Sequence, residues 1–185
     1  DPEYVEKGSL FWRDVCGADR AGFWHAGAPV WEVFEVPSND AEEFETGQLL
    51  IHKTRCWPEL CLTLHINRNH GFYYRFMYGD KDTFRMAWWH LHVKRGGQML
   101  RDNALTGPVP YGFMPYGPFH VGRPNPWKKW GGGSVMVQRD REGEPLFNHR
   151  NLNKWRVDSA FDGHHDTPQD PIYLQHLERL RGLLR

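Results

Sequence analysis

The run Tyr78-Gly79-Asp80-Lys81-Asp82-Thr83-Phe84, continuing into Met86-Ala87-Trp88-Trp89, constrains what this chain can fold into more than any other stretch. An Asp directly after Gly can accept the orphan N–H groups of a helix start, so Asp80 reads as an N-cap. Asp82 then falls in the first turn, where the helix dipole favours negative charge. From Lys81 to Lys94 the apolar residues Phe84, Ala87, Trp88 and Leu91 recur three or four apart, which predicts an amphipathic helix ended by Gly96-Gly97. Capping by itself accounts for one of the two acids, or for both. It does not account for Glu45-Thr46-Gly47-Gln48, which precedes an apolar strand and a helix leading into this same segment.

Around that helix the pattern is mixed α/β. Ser9–Trp12 and Ala28–Val36 read as short strands, with Gly17, Gly22 and Gly27 marking a loop between them. The opening Asp1-Pro2-Glu3-Tyr4 reads as the middle of a loop in a longer protein. Leu49-Leu50-Ile51 is expected as a buried strand, and Pro58 at the first position of a helix that runs to about Asn69. Residues 106–130 are rich in Pro and Gly and read as a long aromatic loop. Val135–Gln138 and Pro145–Phe147 flank Asp140-Arg141-Glu142-Gly143 and predict a β-hairpin, and a final helix is expected over 170–184, with Pro171 near its start.

A chain of 185 residues is expected to form a single domain, 1–185. Lys and Arg balance Asp and Glu at 23 each, so no global field favours nucleic acid or an anionic membrane, and any phosphate binding has to be local. There is no run of eighteen apolar residues, so no membrane contact is expected within this segment; an anchor upstream of it is compatible with the sequence. Three cysteines, Cys16, Cys56 and Cys61, without metal-type spacing leave the redox compartment open. Nine Trp residues serve either to fill a core or to stack on sugar faces.

Four short motifs occur in a telling order: Phe11-Trp12-x-Asp14, Glu45-Thr46-Gly47-Gln48-Leu49-Leu50-Ile51-x-Lys53, Gly79-Asp80-Lys81-Asp82-Thr83-Phe84, and Gly143-x-Pro145-Leu146-Phe147-x-His149-Arg150-Asn151. Together, from about Leu10 to Trp155, they resemble the fungal-type α-mannosyltransferases, a family of nucleotide-sugar glycosyltransferases. The resemblance implies an α/β fold of the GT-A nucleotide-diphospho-sugar transferase type, with a mixed sheet and flanking helices. It further implies a GDP-mannose donor, a glycan acceptor, a divalent metal such as Mn2+, retention of configuration and, for a eukaryotic source, the Golgi lumen. The strand-terminal Asp-x-Asp motif of such folds does not precede Phe11. The nucleotide-binding part is therefore expected upstream of Asp1, and the present chain is expected to be the C-terminal portion of the catalytic domain.

Each motif has a chemical reading beside a plain structural one. Glu45 and Gln48 offer an acceptor and a two-faced amide to sugar hydroxyls, and Gly47 lets backbone approach a ligand; a tight turn entering a strand explains them as well. Asp80 and Asp82 are the catalytic candidates, placed to steady the oxocarbenium-like charge of glycosyl transfer, and similarity to related retaining transferases favours Asp80. By the same similarity His149 is the candidate metal ligand and Lys154 the cation on the leaving diphosphate, although the Pro of the related Lys-Pro-Trp element is missing here. Arg150 is a second candidate for phosphate, and an exposed surface Arg explains it equally.

Other patterns are weaker. His90 and His92 lie two apart on a helix and face different ways. His164-His165-Asp166 reads as a surface cluster, and Gly131-Gly132-Gly133 lacks the Lys-Ser/Thr of a phosphate loop. The alternative to an enzyme is a non-catalytic carbohydrate-binding module with Trp platforms. A glycoside hydrolase pairing acids such as Glu45 and Asp80 is disfavoured, because nothing puts two acids on adjacent strand ends.

Overall fold

The computed structural model describes residues 1–14, 27–39, 41–97, 109–124, 133–150 and 170–183. They fall into two compact units, Asp1–Gly117 and Pro118–Arg185. The architecture is mixed α/β, with a small mixed sheet and flanking helices in the first unit.

The first unit opens with helix α1 (Pro2–Lys7), where a loop was expected. The Asp1 carboxylate accepts the Tyr4 N–H at 3.0 Å, Pro2 needs no N–H in the first turn, and Gly8 closes the helix at φ 78°. Strand β1 (Ser9–Arg13) follows as predicted. The stretch expected as a second strand is instead helix α2 (Pro29–Val33): Pro29 starts it, and Glu35 turns the chain out of it at φ 51°.

Strand β2 (Phe44–Ile51) pairs antiparallel with β1, and β3 (Gly112–Phe113) pairs parallel with β1 on its other side. β2 is longer and less buried than its apolar end suggested, with Leu50 exposed. β3 also interrupts the loop read over 106–130. Helix α3 (Trp57–Arg68) starts one residue before Pro58, the one-turn α4 (His70–Tyr73) follows, and α5 (Asp80–Lys94) is the predicted amphipathic helix.

Phe11 is fully buried at the centre of the core. Its ring stacks on Phe44 at 4.2 Å and meets the edges of Trp88 and Tyr111 at 5.4 and 5.3 Å. The buried face of α5, with Met86, Ala87, Trp88 and Trp89, covers this cluster, and Trp88 Nε1 donates to Ser9 Oγ at 3.0 Å. Each large ring removed from water contributes about 2–3 kcal/mol, which places α5 firmly on β1.

The described tryptophans Trp12, Trp31, Trp88 and Trp89 are therefore core residues, whereas Trp57 is 52% exposed. Trp24, Trp127, Trp130 and Trp155 lie outside the described residues.

In the second unit β4 (Phe119–Pro124), β5 (Gly133–Arg139) and β6 (Pro145–Arg150) form an antiparallel sheet in that order. The predicted hairpin joins β5 to β6. Asp140 Oδ1 accepts the N–H groups of Glu142 and Glu144 at 3.0 and 2.8 Å and shapes its turn. Helix α6 (Asp170–Leu183) matches the expected final helix. Among the described residues no helix is long and apolar enough to cross a membrane.

Candidate active site

β1 and β2 run antiparallel with Arg13 opposite Phe44, so the residue after one strand lies beside the residue before the other. Asp14 N donates to Glu43 O at 3.0 Å, and two carboxylates are thereby held side by side. Two such charges repel unless a cation lies between them, and Lys81 supplies it from the first turn of α5. Its Nζ is 2.5 Å from Asp14 Oδ2 and 3.0 Å from Glu43 Oε2. Burial alone would lower the Lys81 pKa, but the charges of Asp14 and Glu43 outweigh it and the net direction is up. Arg85, one turn on and buried, lies 3.9 Å from Glu43 and donates to Ala41 O at 2.6 Å. This cluster joins the sheet to the start of α5.

The two acids of that start have different surroundings. Gly79 is the N-cap residue at φ 154°, a conformation that suits glycine, so Asp80 is the first helical residue and not the cap. Asp80 is exposed. Asp82 is buried, and its Oδ2 accepts the Tyr78 N–H at 2.8 Å. Burial drives the Asp82 pKa up from 3.8 to about 6, against the opposing pull of Lys81 and the Tyr78 N–H. Asp82 thus braces the turn from within while Asp80 stands at its surface.

Glu45, Gly47 and Gln48 lie in one irregularity of β2. Glu45 pairs with Trp12 and Leu49 with the adjacent Phe11, so Thr46, Gly47 and Gln48 have no opposite number and bulge out of the ladder. Glu45 Oε1 accepts the Thr46 N–H at 2.9 Å and closes the start of the bulge. Gly47 is exposed at its tip and is not among the positive-φ residues, so the local backbone does not itself demand glycine. The buried Gln48 Nε2 has no hydrogen-bond partner among the described residues. Buried polar atoms are normally paired, which makes this amide a natural place for an outside acceptor.

His149 and Arg150 belong to the second unit. His149 pairs with Met136 and Arg150 with Val135 at the end of β6. Lys154, His164, His165, Asp166 and Cys16 lie outside the described residues, as do Gly131 and Gly132. His90 Nδ1 lies 2.6 Å from Phe34 O, while the His92 ring meets the edge of Trp89. Among the described residues no three His, Cys, Asp or Glu side chains gather as a metal-ligand set. Cys56 is buried and Cys61 exposed, and both are free thiols.

Sequence reasoning did not select Glu43, Arg85 or Asn67. Glu43 was discoverable as the acid just ahead of the strand that carries Glu45. Arg85 and Asn67 needed the helix packing.

Residues 35–111 match the family model described as "Mannosyltransferase putative". No curated protein and no solved structure matches the chain. Over that stretch, which is less than half of the chain, the sequence is similar to a mannosyltransferase family. The matched stretch contains both the β2 bulge and the start of α5, whereas Phe11–Asp14 and Gly143–Asn151 fall outside it.

Proposed function

We propose that this chain is part of a retaining α-mannosyltransferase of fungal type and GT-A fold that moves mannose from GDP-mannose to a glycan acceptor. The observation that carries the reading is the coincidence of the family match with a physically joined pair of elements. The β2 bulge and the first turn of α5 both lie within residues 35–111, and the Lys81–Glu43 ion pair ties the strand of one to the helix of the other.

In this reading the exposed Asp80 carboxylate stabilises positive charge developing on the sugar, and the buried Asp82 holds the turn that presents it. Glu45 and the Gln48 amide bind sugar hydroxyls at the bulge, with Gly47 giving room for close approach. Lys154 is assigned to the diphosphate by resemblance, with Arg150 as a second candidate cation for it. A divalent cation such as Mn2+ would neutralise the leaving diphosphate, with His149 as the ligand the resemblance names. The described residues do not assemble a set around it, and no step is derived through it. The same resemblance assigns the Golgi lumen.

Isothermal calorimetry on the chain with the upstream nucleotide-binding part that the resemblance implies restored to it tests the reading. GDP-mannose binding that is strengthened by Mn2+ and lost on chelation is expected. Glycan binding indifferent to chelator, with no nucleotide binding, would instead favour a carbohydrate-binding module. That alternative has less support, since four of the five described tryptophans are packed in the core.

A further inference from the structure

Near the C-terminal end of α3, the Asn67 side chain makes three hydrogen bonds whose directions are fixed by chemistry. The Thr63 carbonyl can only accept, so Asn67 Nδ2 faces it at 2.8 Å and also donates to Thr83 Oγ1 at 2.8 Å. Asn67 Oδ1 is then left to accept, and the Tyr74 hydroxyl donates to it at 2.6 Å. Thr83, fully buried, donates its own hydroxyl hydrogen bond to Asp80 O at 2.6 Å. One directed chain therefore runs from Tyr74 through Asn67 and Thr83 to the backbone of Asp80. It fastens α3 and the turn after α4 to the first turn of α5.

We propose that Thr83, held by Asn67 and through it by Tyr74, is a positioning residue for sugar transfer: it fixes the backbone that presents the Asp80 carboxylate to the reacting sugar. The inference rests on the role given to Asp80 above. Helix α5 has ample apolar packing without this chain, as Met86, Trp88 and Trp89 are fully or almost fully buried. The hydrogen bonds act on the first turn, anchoring the backbone of the exposed Asp80 through the buried Thr83. Tyr74 must stay protonated to donate. Burial, with the nearby charges of Asp80 and Asp82, raises its pKa and keeps it so.

The test combines amide hydrogen exchange with mannose transfer, the upstream part that the resemblance implies restored, in Tyr74→Phe, Thr83→Val, Thr83→Ser and Asp80→Asn. Faster exchange confined to residues 80–83 is expected in Tyr74→Phe and Thr83→Val, with kcat down about tenfold and the donor KM within about twofold. Thr83→Ser, which keeps the hydroxyl, is expected to restore both. Unchanged exchange at 80–83 would overturn the proposal whatever the activity. So would faster exchange with wild-type kcat, provided Asp80→Asn abolishes transfer. Wild-type transfer by Asp80→Asn would instead overturn the role of Asp80 itself, and the positioning claim with it.

Discussion

Lys81 and Asp14 are 67 residues apart in the chain, yet the Lys81 ammonium lies 2.5 Å from the Asp14 carboxylate and shares its charge with Glu43. This cation makes the adjacent strand ends of β1 and β2 compatible. It also fixes where α5 begins, because it comes from the second residue of that helix.

Lys81→Met should therefore remove the cation that two neighbouring carboxylates share. Fully buried pairs lose about 3–5 kcal/mol when broken and exposed ones about 0–1, so for these partly exposed side chains a loss of about 2 kcal/mol is expected. Urea unfolding measures it. Adding Glu43→Gln to Lys81→Met should recover part of the loss, and strict additivity of the two substitutions would refute the pairing.

Asp82 sets a pH dependence. Its native pKa is raised from 3.8 to about 6, so the folded state holds this proton more tightly than the unfolded chain. Its contribution to stability is fully present below about pH 3.8 and is lost as the pH rises through about 6. Asp82→Asn lacks that titration. Relative to wild type, the variant should gain on the order of 2 kcal/mol between about pH 4 and pH 7, as read from unfolding midpoints across that range.

Gly47 separates function from stability. Its backbone is not in the positive-φ region and it is exposed, so Gly47→Ala should change unfolding free energy by less than about 0.5 kcal/mol. If the bulge approaches a sugar, the same change should raise KM for donor or acceptor several-fold. Steady-state kinetics beside thermal melts would show both.

Phe11 is the opposite case. Surrounded by Phe44, Trp88 and Tyr111, it should cost about 3–5 kcal/mol on replacement by Ala, as measured by denaturant unfolding.

The sequence made α5 legible because its apolar residues repeat at helical spacing and Gly96 follows it. The β5–β6 hairpin was legible from its turn residues. Where local signals competed, the reading failed. Val30, Trp31 and Phe34 suit a strand by propensity, yet Pro29 starts a helix and tertiary packing buries the three on one side of it. Asp1-Pro2, expected as loop, starts a helix because the Asp1 carboxylate accepts the Tyr4 N–H. Asp80 and Asp82 could be named from spelling alone, but only burial distinguishes them: Asp80 is exposed and Asp82 buried, with its carboxylate turned back to Tyr78. The bulge was hidden for a related reason, because strand register belongs to two strands and a single motif cannot reveal it.

The role of Asp80 is tested most directly by restoring the upstream part that the resemblance implies and comparing mannose transfer from GDP-mannose by the wild-type protein and by Asp80→Asn, an isosteric change at an exposed position, with folding verified by its melting temperature. The account predicts a fall in kcat of at least about a hundredfold with unchanged stability. Turnover within about twofold of wild type would contradict it.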